Sequence, residues 1–121
     1  MTNSPEIHGF HAHVYFDAES IDQARALCEA ARDQFDIPMG RMHERPVGPH
    51  PDWSCQLTVS LEKFSSVIPW LALNRDGLVI FVHPETGDDL VDHRDGPIWM
   101  GAVRPIKLEM FMRGSENATD D

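Results

Sequence analysis

An α+β sandwich, one sheet with two helices on a single face, is the fold class that this sequence predicts. Three observations carry the prediction. Residues 9–16 and 53–61 alternate apolar and polar side chains with the period of two of half-buried strands. Residues 20–35 and 62–75 repeat apolar residues at helical spacing instead. Clusters of Gly, Pro, Asp and Asn separate these segments.

In Gly9-Phe10-His11-Ala12-His13-Val14-Tyr15-Phe16, the apolar set Phe10, Ala12, Val14 and Phe16 faces a core, and His11, His13 and Tyr15 face the other way. Asp17 or Ser20 can cap the helix that follows, Ser20 together with Gln23 in a capping box. Its apolar stripe is Ile21, Ala24, Leu27, Cys28, Ala31 and Phe35. A short extended piece over 41–47 suits an edge strand, because Pro46 cannot donate to a ladder. Gly48-Pro49-His50-Pro51-Asp52 is then a stiff loop that restricts His50 from both sides. Trp53, Cys55, Leu57, Val59 and Leu61 make the core face of the next strand, and Ser54, Gln56, Thr58 and Ser60 its polar face.

The second helix buries Phe64, Val67, Ile68 and Leu71, with Pro69 in its first turn or at a kink, and Asp76-Gly77 ends it. Residues 78–83 are apolar enough for burial on both faces. A long acidic turn is expected over 84–96, a last strand over 106–111, and a disordered acidic tail over 114–121. Strand, helix, strand, strand, helix, strand is the order of a ferredoxin-like βαββαβ sandwich, an antiparallel sheet with helices on one face. The first and third strands are expected at its centre and parallel, with the fourth antiparallel beside the first. His11, His50 and His83 are then expected at one edge.

One domain is expected over 1–121, with a folded core of about 8–111. Acidic residues outnumber basic ones by 20 to 10, and the net charge of −10 argues against nucleic acid or an anionic membrane as partner. The apolar runs are too short to span a bilayer, and the N-terminus lacks the basic and apolar regions of a signal peptide, so the cytoplasm is the expected compartment. Cys28 and Cys55 have apolar neighbours and read as buried free thiols.

His11 and His13 lie on one strand face roughly 7 Å apart at their Cα atoms, close enough for both rings to reach one ion about 2.1 Å from each ligand nitrogen. Two surface imidazoles would show the same spacing, and convergence with His50 and His83 is what raises the metal reading above it. The open face, with His11, His13, Tyr15, Ser54, Gln56 and Thr58, suits a small polar ligand. A second copy of the chain, in a homodimer, or the C-terminal segment would roof it.

Gly9 to Phe16, Gly48-Pro49-His50-Pro51, and the block from Trp70-Leu71-Ala72-Leu73-Asn74-Arg75 through His83-Pro84-Glu85-Thr86-Gly87 to Asp92-His93-Arg94 resemble the small bacterial and fungal DOPA 4,5-dioxygenase-like proteins. The resemblance covers about residues 8–111. It implies a ferredoxin-like fold and extradiol ring cleavage of L-DOPA or a related catechol by dioxygen, at Fe(II), with zinc or another divalent metal able to take its place. The usual ligand scheme for such an ion is two histidines and one carboxylate. Glu44, Asp52 and Glu85 are candidate carboxylates here, and a three-histidine set of His11, His13 and His83 is the expected one.

His50 is the expected general acid or base, since imidazole titrates near neutrality; it is otherwise a fourth ligand or a loop residue. Tyr15 is expected to hydrogen-bond the substrate, Gln56 to line its site and Trp99 to close over an aromatic ring. Arg94 would match an amino-acid carboxylate, in competition with a surface ion pair to Asp92 or Asp95. Trp53 and Trp70 read as core, and His8 and His43 as surface. The alternative to an oxygenase is a non-catalytic, metal- or ligand-binding dimeric module of the same fold.

Overall fold

The computed structural model describes residues 6–112 of the 121-residue chain. Among them the elements run β1 (Gly9–Phe16), α1 (Ile21–Phe35), β2 (Trp53–Val59), α2 (Leu61–Asn74), β3 (Ile80–Glu85), α3 (Asp89–Arg94) and β4 (Ile98–Met100). They form the expected α+β arrangement, an antiparallel sheet of order β2-β1-β3-β4 with helices packed on it. The acidic tail expected over 114–121 lies outside the described residues.

Period-two patterning sorts the side chains of the sheet. Ala12, Val14, Cys55, Leu57, Val59, Ile80 and Val82 are fully buried on the helix-covered face. Ala24, Leu27, Cys28 and Ala31 of α1 and Val67 and Leu71 of α2 meet them there. Removing one Val or Leu side chain from water contributes roughly 1.5–3 kcal/mol, so this shared layer holds both helices to the sheet. Cys28 and Cys55 are buried free thiols, as expected.

Several expectations are corrected. β2, expected at the centre and parallel to β1, is an edge strand and runs antiparallel to it, with Phe10 opposite Val59 and Phe16 opposite Trp53. No strand forms over 41–47; the chain meets β2 only through isolated bridges, Met39–Leu57 just before that segment and His43–Ser54 within it. Pro46 and Pro49 lack the donors needed to extend that ladder. The last strand is Ile98–Met100, and the expected strand over 106–111 is instead a stretch without regular structure that ends in a helical turn. With Glu109, Met110 and Met112 exposed, those residues have no second strand or core face to alternate against.

The acidic turn holds α3, started by Asp88, whose side chain accepts from Val91 N. The Ser20–Gln23 box does not form. Ser20 Oγ donates to Asp17 Oδ1 at 2.9 Å, and Gln23 Nε2 reaches Asp76 O at 2.7 Å, tying α1 to the turn before β3. Pro69 lies in the interior of α2, on an exposed position where water can replace the bond that Ser65 O loses.

Candidate metal centre

The sheet face opposite α1 and α2 carries the site. Antiparallel pairing of β1 with β3 sets His11 directly across from His83 and His13 across from Phe81. Pairing of β1 with β2 sets Gln56 across from His13 and Ser54 across from Tyr15. Strand register alone therefore brings three imidazoles of two strands to one patch. One ring nitrogen from each of His11, His13 and His83 lies within 4.8 Å of the others.

Hydrogen bonds behind the rings orient them. His83 Nδ1–H donates to Pro84 O at 2.9 Å, which leaves Nε2 with its lone pair. His83 Nε2 is 3.0 Å from His13 Nε2. Two nitrogens bound at right angles to one ion, each about 2.1 Å from it, are themselves about 3.0 Å apart, so the pair already has a ligand spacing. His11 Nδ1 sits 2.8 Å from Glu85 Oε1, a carboxylate behind an imidazole, which is the support that metal-binding histidines commonly have. The donor set fits a divalent transition ion held by His11, His13 and His83.

Burial keeps these rings in the neutral, ligating form. It pushes His83 down to about 3, with smaller contributions from His93, His11 and His50. His13 lies well below the usual imidazole range, first through burial and then through the neighbouring His50, His83, His11 and His93. His11 is lowered less, being more exposed. Glu85 is raised by burial and by the neighbouring Asp92.

His50 reaches this patch from the Tyr15 end of β1. Because β2 runs antiparallel to β1, the loop before β2 starts beside Tyr15 and Phe16, and His50 folds inward from there to within 4.1 Å of the His13 ring, centre to centre. Its Nδ1 is 2.7 Å from Tyr15 Oη. Burial pushes His50 down to about 4 and raises the Tyr15 hydroxyl far above its ordinary range, so both are neutral near pH 7.

Residues 10–110 match the family model described as the Dopa 4,5-dioxygenase family. The chain belongs to the Dopa 4,5-dioxygenase family. It is 35% identical over 112 residues to the DOPA 4,5-dioxygenase of Amanita muscaria, an alignment covering 85% of this chain and 49% of that protein. It is 34% identical over 116 residues to an uncharacterized 21.2 kDa protein of Botryotinia fuckeliana, covering 86% and 63%. The chain thus spans about half the length of the first relative and under two thirds of the second. A crystal structure of a candidate dioxygenase from Nostoc punctiforme PCC 73102 superimposes with a TM-score of 0.85 at 46% identity, over 89% of this chain and 93% of that one.

In this member of the Dopa 4,5-dioxygenase family, the other expected site residues lie at varied distances from the histidines. Gln56 stays on the open face and donates to Thr58 Oγ1 at 3.3 Å. Trp99 stacks on Phe81 with ring centres 4.5 Å apart, and lies 6.2 Å from Tyr15. Arg94 points to Asp95, with Nε and a terminal nitrogen each 2.8 Å from a carboxylate oxygen. Of the candidate carboxylates, Glu85 backs His11, Asp52 holds Arg104 at 2.7 and 2.9 Å, and Glu44 is exposed.

Three features of the site were not read from the sequence. Phe81 forms a fully buried floor under His13 and His83. His93 packs 4.1 Å from His83, its Nδ1–H donating to Asp89 O at 2.7 Å and its other side covered by Phe111 at 4.5 Å. Asp92, fully buried, accepts from Thr86 N at 2.9 Å and from Thr86 Oγ1 at 2.6 Å, which locks α3 to the end of β3. An N-cap reading of Asp88 would have found α3 and with it His93.

Proposed function

We propose that this chain is a metal-dependent extradiol dioxygenase that opens the ring of L-DOPA or a related catechol. The observation that carries the reading is the meeting of His11, His13 and His83 on one sheet face, with Glu85 and the Pro84 carbonyl behind them. A ferrous ion held by these rings would supply a Lewis acid for a catecholate and the redox partner that dioxygen requires. The family relationship supports a catechol as the first choice of substrate, and dioxygen chemistry makes iron the first choice of metal.

The protein groups have distinct tasks in this reaction. In the tautomer whose Nδ1–H donates to Tyr15 Oη, His50 presents a lone pair on Nε2 and can take the proton that a catechol loses on binding. Tyr15 holds the ring in that orientation. Phe81, Trp99 and Phe111 make an apolar wall that keeps water from the reacting carbons.

Tyr15→Phe deletes the 2.7 Å bond to His50 while keeping the aromatic ring. Turnover is expected to fall about tenfold, as for other orienting partners, with metal content unchanged. Steady-state rates and metal analysis on the same preparation check both parts; equal turnover would remove His50 orientation from the account.

The direct test is oxygen uptake by anaerobically iron-loaded protein with a panel of catechols led by L-DOPA, followed by a visible spectrum. Uptake with a yellow semialdehyde product is expected. Iron-loaded protein that consumes no oxygen with any catechol would overturn the reading in favour of a non-catalytic metal-binding module.

A further inference from the structure

We propose that Asp92, which lies outside the ligand set, is a buried countercharge of the metal centre and joins Glu85 in balancing a divalent ion held by three neutral imidazoles. This rests on the metal-dependent reading of the site and adds to it a residue that acts on the ion through its charge alone. Asp92 is fully buried. Its two oxygens accept from a single residue, Thr86, through the backbone N–H at 2.9 Å and the hydroxyl at 2.6 Å. Among the described residues, no Lys, Arg or His nitrogen lies within 4.0 Å of the Asp92 oxygens.

The contacts treat the group as a carboxylate. Thr86 Oγ1 accepts from Asp88 N at 3.3 Å, which leaves its own proton for Asp92, and 2.6 Å is the length of a charge-assisted O–H···O bond. A latch between α3 and β3 would need no charge, since an amide could make both bonds. Burying a carboxylate without a cation is costly. Arg94, two residues on, is matched by Asp95 instead.

What lies close to the charge is the histidine patch. Thr86 follows Glu85, whose Oε1 is 2.8 Å from His11 Nδ1 and 3.6 Å from His83 Nδ1. His93, the next residue, has its ring 4.1 Å from that of His83. The turn after α3 packs on Pro84, the residue whose carbonyl orients His83; a Cβ on Gly96 would come within 2.7 Å of Pro84 Cγ. Asp92 thus stands behind the supports of two of the three rings.

Its field reaches them. Glu85 is raised by burial and next by Asp92, and at His11 burial and His93 push the imidazole down while Asp92 pushes it up. Without an ion the two carboxylates repel each other. A divalent cation among the rings is attracted to both, and neutral imidazoles bring no charge of their own to match it.

The test compares wild type, Asp92→Asn and Thr86→Val by zinc affinity in chelator competition, denaturant unfolding of the metal-free proteins, and midpoint potential of the iron-loaded proteins. Asp92→Asn keeps the shape and can keep both bonds to Thr86. It is expected to weaken zinc binding at least about tenfold, the low end of what supporting partners of a metal contribute. Its metal-free stability should be unchanged or higher, and its iron potential more positive, because the lost charge favoured the ferric state. Thr86→Val removes the hydroxyl and keeps the charge, so it should lower stability and leave zinc affinity near that of the wild type. An Asp92→Asn protein that does not fold, or that loses metal-free stability together with zinc affinity, makes Asp92 a latch and overturns the inference. Unchanged zinc affinity or an unchanged potential overturns it as well and leaves the ligand set standing. A wild type that binds neither zinc nor iron removes the metal reading itself.

Discussion

His13→Ala is expected to abolish stoichiometric metal binding while leaving the far-ultraviolet circular dichroism nearly unchanged. The substitution removes the central ring of the three, the one 3.0 Å from His83 Nε2 and two residues from His11 on the same strand. Two imidazoles then remain where three converged, and affinity should fall by well over the roughly 10–100-fold that loss of a merely supporting partner costs. The backbone of β1 needs no histidine side chain, since its ladder to β2 and β3 is formed by main-chain groups. Dialysis against one equivalent of iron or zinc followed by metal analysis reads the first part. A thermal scan gives a second readout, because added metal should raise the midpoint of the wild type and not of the variant. One equivalent retained in the variant would sink the assignment of ligands.

Phe81→Ala should be the most destabilising single truncation in the open face, costing about 3–5 kcal/mol. Phe81 is fully buried, stacks on Trp99 at 4.5 Å and carries the His13 and His83 rings above it. Its deletion leaves a cavity that neighbours on two strands cannot close without moving those rings. Denaturant unfolding of the metal-free proteins measures the loss. A cost below about 1 kcal/mol would mean that this face is loosely packed and that the histidines are not held by the floor beneath them.

The parts of the molecule legible in the sequence were those in which burial enforces a period. The alternation in β1 and β2 and the stripes of α1 and α2 each describe a segment long enough to repeat, and the histidine pair follows from the first of them. β4 has three residues and α3 has six, too short for any repeat to emerge, and the apolar pattern after Pro105 promised a strand where the chain has no partner to pair with. The direction of β2 is not legible in its pattern, because alternation is the same read forwards or backwards. His50 consequently arrives from the Tyr15 end of β1, which no local pattern encodes. Phe81 looked like one more apolar residue in a buried run; only the register opposite His13 gives it a place in the site.

The two walls of the site differ in how they are tied down. β1 is laddered on both sides, so the amides of His11 and His13 should exchange with solvent deuterium only when the whole sheet comes apart. The wall beside His93 and Trp99, to which Val103, Arg104 and Ile106 contribute, has no ladder; it is pinned by Lys107 N to Pro49 O at 2.8 Å and by Arg104 to Asp52. Two such contacts can open locally, at a small fraction of the global unfolding energy. An ion seated on β1 would be a long-term resident, whereas molecules crossing that wall could come and go on the much faster clock of a surface segment.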